Sequence, residues 1–243
     1  MREIKCDQGS EQWLYLRAGL PTASEFSKIV TPTGKLSKSS RDYKAWLLAE
    51  RIMHRPILTK QSAGMIRGTQ YEAEAVEFFV ALKGETRVSP CGFVVNDAGT
   101  IGASPDRWCG DDGQWEIKVP EPQTHCGYMI AQMEIEAIKD EASGLRDTPE
   151  DVARLKVLLD RSDEARKQSL AAEYKAQTMG QLFITERRWS ELLAYSPEGL
   201  DPVFVHLKRD EPFIQILAQA VSEFSRDLEE AAADLTRKGI IQA

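Results

Sequence analysis

Apolar and polar positions alternate with helical or extended spacing in a definite order along the chain. Ser10 stands where a cap would precede a short helix through Trp13, Leu14 and Leu16 that stops at Gly19, and Thr22-Ala23-Ser24-Glu25 has the spacing of a capping box for a second helix. Residues 31–40, rich in Thr, Ser and Lys with a Pro and a Gly, read as an exposed loop, and 41–54 read as a helix carrying Trp46, Leu47, Leu48 and Ile52. Within a helical stretch over 68–82, Glu72, Val76, Phe79 and Val80 fall on one face, which puts a carboxylate on the core-facing stripe. Three β-like runs, 92–96, 100–103 and 114–119, are separated by Asn96-Asp97 with Gly99 and by Gly110-Asp111-Asp112-Gly113, and predict an antiparallel meander. Thr148-Pro149-Glu150-Asp151 then begins a helix with Val152, Leu155 and Leu159 as its stripe. Strands over 189–195 and 203–207 and an amphipathic helix from Pro212 to about Arg237 complete the order, which predicts an α+β fold with a mixed central sheet.

No repeat, low-complexity tract or linker divides the 243 residues, so one domain over 1–243 is expected. The 42% apolar content suffices for a sizeable core. No stretch approaches the roughly 18 to 20 apolar residues of a membrane span, and Met1-Arg2-Glu3-Ile4-Lys5 has no apolar signal core, so a soluble cytosolic protein is expected. Cys6, Cys91, Cys109 and Cys126 form no Cys-x-x-Cys pair, against zinc ribbons, thioredoxin chemistry and a clustered iron-sulfur site. The 31 basic and 38 acidic residues give a net charge of -7, which excludes a uniformly basic nucleic-acid surface but not a basic groove. Lys35, Lys38, Arg41 and Lys44 recur every three residues, followed by Arg51, Arg55, Lys60 and Arg67; they suit a solvated face or a DNA groove.

The strongest chemical signal is Gln114-Trp115-Glu116-Ile117-Lys118-Val119. Strand alternation puts Trp115, Ile117 and Val119 on one face and projects Glu116 and Lys118 from the other. A hairpin through 110–113 can bring Asp106, from Ser104-Pro105-Asp106, beside Glu116. Two carboxylates and a lysine in one hollow are costly unless compensated, and a divalent metal would supply compensation together with a water of lowered pKa. The competing reading makes Glu116 and Lys118 a solvated strand face and Asp106 a turn residue. Downstream, Tyr174, Gln177 and Gln181 form a polar stripe on a helix that otherwise carries Met179, Leu182 and Phe183.

The Pro105-Asp106 and Glu116-Ile117-Lys118 elements resemble the core of the PD-(D/E)xK nuclease superfamily. The surrounding chain resembles the phage lambda exonuclease or YqaJ-type viral recombinase branch. The likeness runs through 13–19, Thr22-Ala23-Ser24-Glu25, Gly68-Thr69-Gln70-Tyr71-Glu72, Ser104-Pro105-Asp106, 116–120 with Thr124-His125, and Tyr174-Lys175-Ala176-Gln177 to Gly180-Gln181-Leu182. It implies a restriction-endonuclease-like core. Glu72, Asp106, Glu116 and the Ile117 carbonyl would hold one or two Mg²⁺ ions, with Mn²⁺ able to substitute, while Lys118 and Gln177 flank the attacking water. Arg17 and Ser24 resemble the pocket for a 5′-terminal phosphate; an ordinary surface salt bridge is the other reading of Arg17. His125 would touch a phosphate or fix its loop. The surplus between Lys118 and Gln177 suggests a helical insertion at about 135–172.

The resemblance implies a Mg²⁺-dependent 5′-to-3′ exonuclease that acts on ends of linear double-stranded DNA and leaves 3′ overhangs for recombination. A homotrimer, a single-strand annealing protein as partner, and a phage or prophage origin in a bacterial cytoplasm are implied with it. Two rivals are a restriction-type endonuclease of the same fold and a catalytically silent DNA-binding scaffold. The Arg17 and Ser24 pair argues against the first, the intact Glu72, Asp106, Glu116 and Lys118 set against the second.

Overall fold

The computed structural model describes residues 1–146 and 148–239; Asp147 and 240–243, within the expected single domain, lie outside the described residues. Strand β1 (Arg2–Ile4) is followed by α1 (Glu11–Arg17), a 3-10 helix (Ala23–Lys28), α2 (Ser40–Met53) and α3 (Ala63–Lys83). Five short strands come next: β2 (Val88–Pro90), β3 (Phe93–Val95), β4 (Gly102–Ala103), β5 (Arg107–Cys109) and β6 (Gly113–Lys118). Then come α4 (Pro122–Ser143), α5 (Pro149–Lys167), α6 (Leu170–Glu173), α7 (Lys175–Thr185), β7 (Trp189–Ala194), β8 (Val203–Lys208) and α8 (Glu211–Arg237). The α+β expectation holds.

The predicted meander does not form as one sheet. β3 and β4 pair with each other and with β1 in a small sheet of order β1-β3-β4, whereas β6 belongs to a five-stranded sheet of order β2-β5-β6-β7-β8. Only the β6–β7 pairing in the larger sheet is parallel. β2 and β5 escaped prediction because three residues are too few to show a period of two.

Each face of β6 has its own partners. On one, Trp115, Ile117 and Val119 join Leu193 and Tyr195 in a core against Ala75 and Phe79 of α3. On the other, α7 lies beside the 3-10 helix and α8, with Phe26, Met179, Leu182, Leu217 and Phe224 buried between them. Gly180 permits the close approach: a Cβ there would collide with the Phe26 ring.

Two helical expectations are corrected and one holds in part. Thr22 precedes a six-residue 3-10 helix and its hydroxyl makes no cap, because it accepts from Arg17 instead. Glu72 lies at the outer end of the stripe it shares with Ala75 and Phe79: those two are buried, whereas the Glu72 side chain is 42% exposed. On α5, Thr148 caps as expected, its hydroxyl accepting from Asp151 N at 3.2 Å, yet Val152 (60%) and Leu159 (54%) face outward, as does Leu155. The buried face of α5 is Leu158, Ser162 and Ala165, since that is the side on which the helix packs against α4. Residues 135–172 comprise the second half of α4, α5 and the start of α6; Glu141 bonds Arg154 across the pair at 2.6 Å, while Leu170 is buried with Tyr128, Leu192 and Val203.

Candidate active site

The β5–β6 hairpin aligns Arg107 with Trp115 and Cys109 with Gly113, bringing Asp106 alongside Glu116. The β5–β6 ladder stops at the pair of Arg107 and Trp115, where β5 begins, so the Ile117 N–H lies beyond it and needs another acceptor. Asp106 Oδ2 accepts from it at 2.5 Å, which fixes the carboxylate over β6. Upstream, Gln8 Nε2 donates to Pro105 O at 2.8 Å and Trp13 Nε1 to Ser104 Oγ at 2.9 Å, so the turn carrying Asp106 is held from both sides.

Glu116 is buried beneath α7. It accepts from Lys118 Nζ at 2.6 Å, Gln177 Nε2 at 2.5 Å and Gln181 Nε2 at 2.5 Å. Lys118 Nζ also lies 3.4 Å from Gln177 Oε1 and 4.5 Å from the Tyr174 ring centroid. The polar stripe of α7 therefore faces the strand, and the solvated-face reading of Glu116 and Lys118 is excluded. Gln181 Oε1 accepts from Gln114, whose own oxygen accepts from the Thr185 hydroxyl, so the network continues through the buried interior.

Charge is unevenly compensated here. Burial raises the Asp106 pKa well above the usual carboxylate range, and the Glu116 charge raises it further, against the opposing pull of Lys118. Burial acts to lower the Lys118 pKa, but Glu116 and Asp106 overcome it and the pKa is raised. Lys118 is thus an ammonium in this state, suited to orienting a water or steadying phosphoryl charge rather than accepting a proton.

Glu72 does not join this network. Its Oε1 accepts from Arg107 Nη1 at 2.9 Å, and the same nitrogen donates to Asp106 O at 2.6 Å. One guanidinium thus links the third carboxylate to the main chain of Asp106, and the Glu72 charge adds to those that raise the Asp106 pKa. Among the described residues no group of three or more His, Cys, Asp or Glu side chains is arranged to hold a metal ion.

Arg17 and Ser24 do come together. Arg17 Nη2 donates to Ser24 Oγ at 2.9 Å and Thr22 Oγ1 at 3.2 Å, and the guanidinium lies 4.2 Å from the Trp13 ring centroid. Trp13 and Arg17 stand four residues apart on α1, which makes them neighbours on one face. Among the described residues Arg17 makes no salt bridge, so the surface-pair reading is excluded. Burial lowers its pKa, opposed by Tyr43, Glu25, Glu50 and Glu116. A desolvated cation held by neutral hydroxyls and an indole face is arranged to receive an anion.

His125 is buried in the first turn of α4 with Nε2 2.8 Å from Asp201 O, a loop-fixing contact. Lys35, Lys38, Arg41 and Lys44 lie on the loop before α2 and its first half; Lys44 pairs with Asp227 at 3.6 Å, and none contacts the carboxylates. Sequence reasoning missed Gln181 and Arg107 as site residues. Gln181 was legible in the stripe it shares with Gln177, whereas nothing in the sequence marks Arg107.

The model of the YqaJ-like viral recombinase domain matches residues 12–142, more than half of the chain and the part that holds Arg17, Ser24, Glu72, Asp106, Glu116 and Lys118. The chain belongs to the YqaJ-like viral recombinase family. Among solved structures, this family member is similar to an alkaline exonuclease from Laribacter hongkongensis, with 26% identity and a TM-score of 0.69 over 95% of this chain and 98% of that one. The complex of that enzyme with dAMP matches over the same shares with a TM-score of 0.66. A phage-related exonuclease from Haemophilus somnus 129PT has the same fold, with a TM-score of 0.62 at 12% identity over 89% of this chain and 96% of that one. No curated protein matches the chain. No helix among the described residues is long and apolar enough to cross a membrane.

Proposed function

We propose that this protein is a metal-dependent exonuclease that degrades one strand of linear double-stranded DNA from a 5′ end and leaves a 3′ overhang for recombination. The observation that carries the reading is the presence of two features: the Asp106, Glu116 and Lys118 cluster, and an Arg17 guanidinium that is held by the Thr22 and Ser24 hydroxyls and makes no ion pair among the described residues. One feature suits hydrolysis of a phosphodiester, the other a terminal phosphate. The similarity to an alkaline exonuclease, and that enzyme's complex with a nucleoside monophosphate, support the same chemistry.

The donor set fits a hard divalent cation such as Mg²⁺ or Mn²⁺. Asp106 is a part-buried carboxyl whose charge is disfavoured in the metal-free protein, and its Oδ1 accepts no hydrogen bond from the described residues. Asp106 and Glu116, with Glu72 and the Ile117 carbonyl, would hold the ion, which supplies a water of lowered pKa and stabilises phosphoryl charge. Lys118 and Gln177, both bonded to Glu116, would flank that water. Arg17 and Ser24 would bind the 5′-phosphate and so fix which bond meets the cluster. The family resemblance adds a homotrimer around the DNA, a single-strand annealing partner and action in the cytoplasm of a phage-carrying bacterium.

Digestion of linear duplexes labelled at either 5′ or 3′ end, with Mg²⁺ or chelator and with circular duplex as control, tests the reading. Release of the 5′ label as mononucleotide, only with metal and only from linear DNA, is expected. Cleavage of the circle or release from the 3′ end would overturn it.

A further inference from the structure

Arg107 ties together two elements that the proposed reaction needs in register. Through one nitrogen it bonds Glu72 Oε1 on α3 and the main-chain oxygen of Asp106 at the start of β5. Its side chain is 19% exposed against 42% for Glu72, so the guanidinium is the better-anchored partner. Among the described residues no other group hydrogen-bonds the Glu72 carboxylate, which would otherwise be free to change rotamer at the end of a flexible side chain. The contact occupies only Oε1 and leaves Oε2 available, as Asp106 keeps Oδ1 available.

We propose that Arg107 is a positioning residue that holds Glu72 so that its open oxygen completes the divalent-cation site begun by Asp106 and Glu116. The inference rests on the reading of those three carboxylates as metal ligands. A ligating carboxylate commonly keeps one oxygen for an outer hydrogen bond, and losing that partner typically weakens metal affinity about 10- to 100-fold. The bond to Asp106 O gives Arg107 a second hold, so it sets Glu72 relative to the residue with which it would share the ion. A guanidinium that merely competed with the cation would have the opposite effect: its removal would tighten metal binding.

Calorimetric titration of Mg²⁺ and Mn²⁺ into the metal-stripped full chain separates these cases. The variants are Arg107→Met, Arg107→Lys, Glu72→Gln, the Arg107→Met/Glu72→Gln double variant and Asp106→Asn, each checked for a cooperative thermal transition. Arg107→Met should bind metal about tenfold or more weakly. Arg107→Lys, whose ammonium also carries several donors, should recover part of the loss. The double variant should be no weaker than Glu72→Gln alone, because a residue that acts only through Glu72 has nothing left to position. Unchanged or tighter binding in Arg107→Met, or additive losses in the double variant, would overturn the inference alone. If Arg107→Met does not fold, Arg107→Lys decides: affinity equal to wild type overturns the inference, and affinity between wild type and Glu72→Gln upholds it. Absence of binding by the wild type, or full binding by Asp106→Asn, would overturn the underlying metal reading together with the inference.

Discussion

Asp106 and Arg17 are both held at a cost to the free protein, and each cost makes a prediction. Burial and the neighbouring Glu116 disfavour the Asp106 charge, so Asp106→Asn should abolish cleavage yet melt no lower than the parent in chelator. Lys118→Ala should also be inactive while retaining metal, since lysine is not a ligand; full activity in either variant would sink the hydrolytic assignment. Among the described residues the Arg17 guanidinium meets hydroxyls and an indole and makes no ion pair, which leaves it open to a terminal phosphate. A charge-assisted hydrogen bond is worth roughly 1.5 to 3 kcal/mol, so Arg17→Ala should slow digestion of 5′-phosphorylated ends by at least about tenfold. Ends lacking the phosphate should already be slow and be slowed little further, which rate comparison of the two substrates checks. Equal rates on both ends with the wild type would remove Arg17 as the phosphate receptor.

At the scale of elements, α7 determines how firmly Glu116 is held. Gln181 is buried between Glu116 and Gln114, whereas Gln177 is only partly buried. Replacing Gln181 with Leu strands two buried polar groups, each worth about 1 to 3 kcal/mol, so urea denaturation should show a larger loss for Gln181→Leu than for Gln177→Leu. The stripe of Tyr174, Gln177 and Gln181 was readable because a helix repeats its face every three or four residues. The exposed stripe of α5 shows where that logic stops: periodicity identifies faces, but Val152, Leu155 and Leu159 form as good a stripe as Leu158, Ser162 and Ala165. Which one is buried depends on α4, which the local pattern does not contain. The same limit applies to Glu72, whose helix face was foreseen and whose partial exposure was not.

For the whole molecule, the α4–α5 pair lies to one side of the sheet and α6 returns the chain to the core through Leu170. We expect 144–167 to be replaceable by a short Gly/Ser linker, with thermal melting still cooperative, whereas a replacement extending through Leu170 should fail because it removes a fully buried side chain. Loss of folding with the shorter replacement would make the pair part of the core. Sedimentation at working concentration should report the trimer that the family resemblance implies; a monomer that digests long duplexes without dissociating would contradict it.

The sequence by itself determined the alternation of β6, the polar stripe of α7, and the turn through 110–113 that brings Asp106 beside Glu116. All of these are set by spacings of a few residues, where backbone geometry leaves one arrangement. Tertiary structure alone decided the division of strands between two sheets, the exposure of Glu72, its capture by Arg107 and the buried face of α5. Each of those depends on a partner 35 residues away in the case of Glu72 and Arg107, or on another element altogether, and a local pattern carries no information about which distant surface will arrive.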